Sequence, residues 1–326
     1  MLADLGGARE GGADPRRIRW QQPGFRGGTP ALYCADMRVS TVLGNRLRLD
    51  GGAMFGTVPR TVWSRWLVPD DQGRIELSCR CLLVEEPDGR RILFDTGVGA
   101  FFEPKLKERY GVVESEHVLL ASLGKLGLGE DDVDMVVLSH LHFDHAGGLL
   151  SRWMESEPLR LLFPKAAYLV SEGAWQRARQ PHPRDRASFV LELPSLLDQS
   201  GRLRVARDAD EARELLGLRY RCMLGDGHTP AMLVTQITGE KARIVVASDL
   251  VPGVAWVHLP VTMGYDRYPE LVVDEKRSLL SSALSESSWL FFVHDPNVAA
   301  GRVACDERGR FVIQAPQAEL VRWSLD

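Results

Sequence analysis

The 326-residue chain has 40 basic and 44 acidic residues, a formal charge of −4 and a pI near 6.1, which leaves no electrostatic case for nucleic acid as a partner. With 44% hydrophobic and 26% charged residues it reads as a globular chain that can bury a sizeable core. No run approaches the roughly eighteen apolar residues of a membrane span, and the polar, Gly-rich first twenty residues lack the apolar centre of a signal peptide, so a cytoplasmic location is expected.

Residues 1–28 are rich in Gly, Arg, Asp and Pro and have no hydrophobic periodicity. They read as a flexible N-terminal arm, suited to ordering on a second copy in a homodimer, and residues 29–326 read as one domain. The first strands are expected between Met37 and Leu49. The stretch Asp50-Gly51-Gly52-Ala53-Met54-Phe55-Gly56-Thr57-Val58-Pro59 lacks the Lys-Ser/Thr of a phosphate-binding loop. It is read as a loop reaching the active site, with Met54, Phe55, Trp63 and Trp66 as candidates for an apolar wall.

Leu77 to Glu85 and Arg91 to Phe94 predict a hairpin turning at Pro87-Asp88-Gly89. Helical patterns follow at Glu103–Tyr110 and His117–Lys125. The β-branched run Met135-Val136-Val137-Leu138 then predicts a buried strand. Pro164 to Val170 is a further expected strand, and Ser171-Glu172-Gly173 opens a helix. Residues 180–186, with His182 between prolines, read as a loop or lid. Ala187 to Leu197, interrupted by Pro194, reads as outer-layer packing. The insert Leu250 to Tyr268, with Trp256, His258, Met263, Tyr265, Asp266 and Tyr268, is expected to roof a substrate pocket. Glu270–Ser285 reads as an amphipathic helix and Pro316–Trp323 as a short closing one. Cys34, Cys79, Cys81, Cys222 and Cys305 form an odd, unpatterned set. Cys79 and Cys81 share a strand face and read as ordinary buried thiols rather than a metal or redox pair.

The chemistry concentrates in Ser139-His140-Leu141-His142-Phe143-Asp144-His145-Ala146-Gly147-Gly148, directly after the buried strand. Three imidazoles and a carboxylate this close would be costly to bury unpaired. A divalent ion of borderline softness such as zinc resolves that cost, because neutral imidazole and carboxylate are the donors it accepts. Three further runs end on donors: Arg219–Leu224 before Gly227-His228-Thr229-Pro230, Ala242–Ser248 before Asp249, and Trp289–Val293 before His294. One sheet edge can gather all of them. His117, His182 and His258 lack this context and read as surface or rim residues.

In order and context these motifs resemble the metallo-β-lactamase-fold hydrolases, over roughly residues 49–312. The resemblance implies an α+β, four-layer αβ/βα sandwich. It implies two divalent ions, zinc first with manganese, iron or cobalt as alternatives: one held by His140, His142 and His228, the other by Asp144, His145 and His294, with Asp249 bridging. Phe94-Asp95-Thr96-Gly97 resembles the Asp-containing turn beneath the metals, so Asp95 is expected to orient a ligating histidine. One departure stands out. The usual Gly-His-Thr-Pro-Gly-His here ends in Ala231-Met232, and the second histidine is missing.

The nearest wording is that of N-acyl-homoserine lactonases, which quench quorum signals, and of related organophosphate hydrolases. It implies a metal-bridging hydroxide attacking a small, largely neutral ester or lactone, with no membrane or nucleic-acid partner. Asp144 would ligate and shuttle the proton, and Tyr265 or Tyr268 would donate to the oxyanion. The same fold also admits a phosphotriesterase, a thioesterase, or a hydrolytic dehalogenase with Trp256 stacked on an aromatic substrate. From another class comes a metal-binding regulatory protein with vestigial activity.

Overall fold

The computed structural model describes residues 36–326. The strands in chain order are β1 Arg38–Leu43, β2 Leu47–Asp50, β3 Arg74–Leu77, β4 Arg80–Glu85, β5 Arg91–Phe94, β6 Met135–Val137, β7 Ala167–Ser171 and β8 Leu203–Ala206. The second half adds β9 Tyr220–Gly225, β10 Met232–Thr238, β11 Arg243–Val246, β12 Trp289–Phe291, β13 Ala300–Cys305, β14 Phe311–Gln317 and β15 Trp323–Ser324. They form a seven-stranded sheet in the order β15-β1-β4-β5-β6-β7-β8 and a six-stranded sheet in the order β14-β13-β12-β11-β10-β9, beside the small β2-β3 pair.

Side-chain alternation turns the two sheets into four layers. Leu82, Val84, Ile92, Phe94 and Val137 pack between the sheets against Leu233, Ile237, Ile244, Val246 and Phe291. Their neighbours in sequence, Leu83, Leu93 and Val136, point the other way, onto Leu119, Leu123 and Trp175 of the outer helices. On the far side Val234, Val245, Leu290 and Phe292 pack on Leu279, Leu280 and Ala283 of the helix Pro269–Ser285. Strands buried on both faces need near-continuous apolar sequence, which is why Val136-Val137-Leu138 shows no alternation. The result is the α+β sandwich expected from the sequence.

The hairpin at residues 85–91 and the helices Pro104–Arg109 and Val118–Lys125 fall where the sequence places them. The strand expected over Pro164–Val170 begins later, as Ala167–Ser171, and Ser171 caps the helix Glu172–Arg179 by accepting from Ala174 N.

Three expectations are corrected. The glycine-rich stretch after Asp50 is not a loop but the short helix Gly51–Phe55, because Asp50 Oδ1 accepts from Ala53 N at 2.8 Å and caps it. Gly51 is needed there, since a Cβ would fall 2.4 Å from the Trp63 ring. Pro194 does not break a helix; it sits in the first turn of Leu193–Gln199, where its missing N–H costs nothing. The closing helix at 316–323 is absent. Residues to Gln317 belong to β14, and Trp323–Ser324 pairs with β1, because strand pairing overrides the weak local helical pattern. The expected arm at 1–28, the domain start at residue 29 and Cys34 lie outside the described residues. Among the described residues, no helix is long and apolar enough to cross a membrane.

Candidate metal centre

The seven expected donors meet at one end of the two sheets, on four segments that follow strands, with Asp95 on a fifth. Phe94 of β5 leads to Asp95, and β6 leads through Leu138 to His140. β9 leads to His228, β11 to Asp249 and β12 to His294. β5 and β6 run parallel, as do β11 and β12, so their carboxyl ends open on the same edge.

The His140–His145 segment is clamped from below. Thr96 N and Oγ1 both donate to the His145 carbonyl, at 2.7 and 2.9 Å. Gly148 lies so close that a Cβ there would stand 1.9 Å from Thr96 O, which explains the glycine pair after the donors. Asp95 itself adopts φ +57, strained for a non-glycine residue, and its carboxylate serves two elements. Oδ1 accepts from Ser139 N and Oδ2 from Ser139 Oγ, both at 2.8 Å, while His145 Nδ1 stands 2.9 Å from Oδ2. Asp95 therefore orients His145, as expected.

Three of the other four histidines also have their outward nitrogen held, His142 being the exception. His140 Nδ1 lies 3.1 Å from Ser139 Oγ, and Ser248 Oγ donates to the same hydroxyl at 2.8 Å. His228 Nδ1 lies 2.8 Å from Asp266 Oδ1, and His294 Nδ1 lies 2.7 Å from the Ser78 carbonyl. A ring whose Nδ1–H donates outward presents a bare Nε2 lone pair inward.

Those inward atoms form two groups. In the first, His228 Nε2 is 3.4 Å from His142 Nδ1 and 3.2 Å from Asp249 Oδ2, with His140 Nε2 at 4.0 Å from the same oxygen. In the second, His145 Nε2 and His294 Nε2 are 3.2 Å apart, and each is 3.2 Å from Asp249 Oδ1. Asp144 Oδ2 stands 3.5 Å from His294 Nε2 and 3.9 Å from His145 Nε2. Asp249 thus turns one oxygen to each group. His140 Nε2, though buried, has no hydrogen-bond partner.

These spacings decide whether cations fit. Tetrahedral coordination with metal–nitrogen bonds of about 2.0–2.1 Å places neighbouring donors about 3.3 Å apart. Lone pairs converging at that distance repel unless a proton or a cation stands among them, so the donor set fits one divalent ion per group. The electrostatics agree. Burial, then the positive charge of neighbouring imidazoles, holds His140 and His142 well below the ordinary histidine range, leaving them as neutral donors. Burial is the largest single influence on His145, His228 and His294 and opposes their charging, but Asp249 and the other carboxylates and hydrogen-bond partners around each ring together lift all three. Asp249 in turn is held anionic against burial by His145, His294 and His228.

Residues 74–294 match the family described as the Metallo-beta-lactamase superfamily. The chain belongs to that superfamily. Among solved structures, it is similar to a "probable metal-dependent hydrolase from Staphylococcus aureus", at 24% identity and a TM-score of 0.75, over 86% of this chain and 98% of that one. It is also similar to AidC, a dizinc quorum-quenching lactonase in complex with a product, N-hexnoyl-L-homoserine, at 19% identity and a TM-score of 0.65, over 86% and 95% of the two chains. A third similar structure is an N-acyl homoserine lactone hydrolase with N-hexanoyl-L-homoserine at its catalytic metal centre, at 19% identity and a TM-score of 0.58, over 80% and 94%. As a superfamily member, the chain is a metal-dependent hydrolase.

Above the donor groups lies a cavity of about 130 Å³ whose walls are mostly apolar: Leu49, Met54, Tyr110, Phe143, Met263 and Tyr265. Of the expected wall residues only Met54 lines it. Phe55 is buried in the core, stacked between Trp63 and Trp256, and Trp66 is on the surface. Trp256 is 1% exposed and donates from Nε1 to Met54 O, so it braces the wall and cannot stack on a substrate as the dehalogenase alternative requires. Tyr265 faces the cavity, whereas Tyr268 lies outside it under the Arg267 guanidinium.

The outer-layer reading of residues 187–197 fails at its start. Ala187 and Ser188 line the cavity, and Phe189 bridges to His142 with ring centroids 4.9 Å apart. His182 and His258 are exposed, and His117 sits at a helix start, so none joins the donors. Cys79 and Cys81 are buried free thiols in the same core cluster. Met232, in place of the usual histidine, is buried in the layer under the second sheet, and Ala231 takes φ +51, where glycine is the usual residue.

Two functional contributions escaped the sequence reading. Asp266 orients His228 and also accepts from Met263 N at 2.7 Å, tying a donor to the cavity wall. The Ser78 carbonyl orients His294, a backbone role without any side-chain signature. Asp266 had one available signal: it is a buried carboxylate in an insert poor in charge.

Proposed function

We propose that the protein hydrolyses a small, largely neutral ester or lactone. His140, His142 and His228 would hold one divalent cation, and Asp144, His145 and His294 the other, with Asp249 shared. When bound, such a pair supplies Lewis-acid polarisation of the substrate oxygen and acidifies water near it. One observation carries the choice of substrate: no Lys or Arg is among the residues lining the apolar cavity over the donors, so an anionic substrate would find no counter-charge in the wall. The product complexes of two similar structures, a lactonase and a lactone hydrolase, are consistent with that choice.

The chain's own groups divide the work. Asp144 is the least buried of the seven donors and lines the cavity. Its carboxylate takes a proton from the attacking water and returns it to the leaving alkoxide as the acyl C–O bond breaks. Burial, then the Asp144 and Asp50 charges, raises the Tyr265 pKa, so its hydroxyl stays protonated and can donate to the oxygen that becomes anionic.

The test is a panel of lactones, aryl esters, phosphotriesters and thioesters offered to zinc- or manganese-loaded protein, with metal content measured alongside. The expected result is two cations per chain and turnover of lactone or aryl ester, with His142→Ala losing both turnover and one cation. Wild-type protein that binds two cations yet cleaves only another class of bond would overturn the substrate assignment.

A further inference from the structure

The active cavity shares a wall with a second, larger one of about 600 Å³, lined in part by Phe102, Val112, Trp153 and Met154 together with Lys107 and Arg152. Between the two stand aromatic rings in contact. Phe102, on the side of the larger cavity, stacks on Tyr110 at 4.9 Å and 16°, and meets Phe143 edge-on at 5.3 Å. Tyr110 and Phe143 line the active cavity. Pockets that hold extended ligands span roughly 300–1,000 Å³. The larger cavity reaches that range and the active one does not.

We propose that the Phe102–Tyr110 pair sets the length of apolar chain a substrate can carry, by partitioning these two cavities. This rests on the reading of the protein as an ester or lactone hydrolase. The backbone at the partition packs closely on β2. Gly111, directly after Tyr110, takes φ +66, and a Cβ there would stand 2.3 Å from Arg48 O. Arg48 N donates to Gly111 O at 2.9 Å. The Tyr110 hydroxyl donates to Ala187 O at 3.3 Å, bracing the ring against the opposite wall of the active cavity. Phe102 packs directly against the Tyr110 ring, so removing Phe102 is what would open the partition. Short acyl groups are therefore accepted, and long ones are turned away by the stacked ring pair.

The experiment measures kcat/KM of zinc-loaded protein over aryl esters or lactones from butanoyl to dodecanoyl. Thermal stabilisation by 1-butanol and 1-decanol is measured in parallel, because alkanols probe the cavity without being cleaved. Wild type should lose at least about tenfold in kcat/KM along the series, the scale set by a few methylenes that cannot be housed. Phe102→Ala should raise the dodecanoyl-to-butanoyl ratio about tenfold and allow 1-decanol to stabilise the protein. Phe102→Leu, which keeps the core filled if the alanine variant fails to fold, should shift the ratio in the same direction by less. Tyr110→Phe, which keeps the ring but loses the brace to Ala187 O, should shift the ratio by less than either Phe102 variant. A wild-type profile flat in chain length, or a ratio and alkanol response unmoved in both Phe102 variants, would overturn the partition. Altered 1-decanol binding without turnover of any acyl substrate would uphold the partition and sink the hydrolase reading instead.

Discussion

The floor and the roof of the active cavity are built on opposite plans. Floor donors sit at strand ends, nearly all of them almost fully buried, and the outward nitrogens of four of the five histidines are held by a carboxylate, a hydroxyl or a carbonyl. The roof is assembled from separate connecting segments: the helix at Met54, Tyr110 after another helix, Ala187 and Ser188, and Met263 with Tyr265. Tyr265 is 40% exposed. Buried polar atoms tolerate few arrangements, because each one left unpaired costs about 1–3 kcal/mol. Apolar loop residues answer only to packing. The floor therefore carries the donor chemistry, and the roof shapes the space above it.

If that division holds, substitutions in the floor should remove function and those in the roof should tune it. The largest effect is expected for Asp249→Asn, which halves the charge available to two cations at once. We expect at least about a thousandfold loss of turnover, beyond the ten- to hundredfold typical of outer partners, with metal content falling below two per chain. Near-normal metal content with near-normal turnover would show that Asp249 is not shared. Next comes Asp266→Asn, which keeps a hydrogen-bond acceptor for His228 but removes the charge that helps hold its tautomer. Metal affinity should fall about 10–100-fold, read by competition with a chromophoric chelator. Tyr265→Phe belongs to the roof and should cost only about tenfold, in kcat rather than KM, the size of one exposed hydrogen bond. A loss of a thousandfold there would place Tyr265 in the floor and break the comparison.

How much of this was legible follows the same division. The donors could be read because His-x-His-x-Asp-His, His228, Asp249 and His294 each follow an apolar strand run, and metal binding restricts residue type severely. Asp95 could be read from its Asp-Thr-Gly turn. The roof was legible only in part: Met54 and the insert with Met263 and Tyr265 fall where expected, whereas Tyr110, Ala187 and Ser188 have side chains that suit any core or loop, and only tertiary placement aims them at the cavity. Trp256 shows the reverse error: an aromatic in a long insert suggests a substrate contact, but its stacking on Phe55 at 4.5 Å makes it a strut. Asp50 shows a third kind, a single capping carboxylate converting a glycine-rich stretch into a helix.

Floor and roof are joined by two adjacent residues of the helix Pro269–Ser285, and these give the smallest expected effect. Glu275, 3% exposed, accepts from Asp226 N and Gly227 N just before His228, and so supports the floor. Lys276, fully buried, donates to the His258 and Val261 carbonyls of the insert that bears Met263 and Tyr265, and so supports the roof. Burial raises Glu275 to about 7, and burial lowers Lys276 to about 7. The signs then differ. Between its unfolded value near 4.5 and about 7, Glu275 holds more protons folded than unfolded, so its contribution to stability is lost as pH rises through that window. Between about 7 and its unfolded value near 10.5, Lys276 holds fewer protons folded than unfolded, so its contribution is regained as pH rises. Together they place a stability minimum near neutrality. In urea unfolding, the difference between wild type and Lys276→Met should change by about 1 kcal/mol per pH unit above neutrality and stay flat below it. Glu275→Gln should show the mirror pattern, sloping on the acid side alone. Slopes on the same side of neutrality in both variants would mean that the two residues titrate as one pair rather than as separate supports for floor and roof.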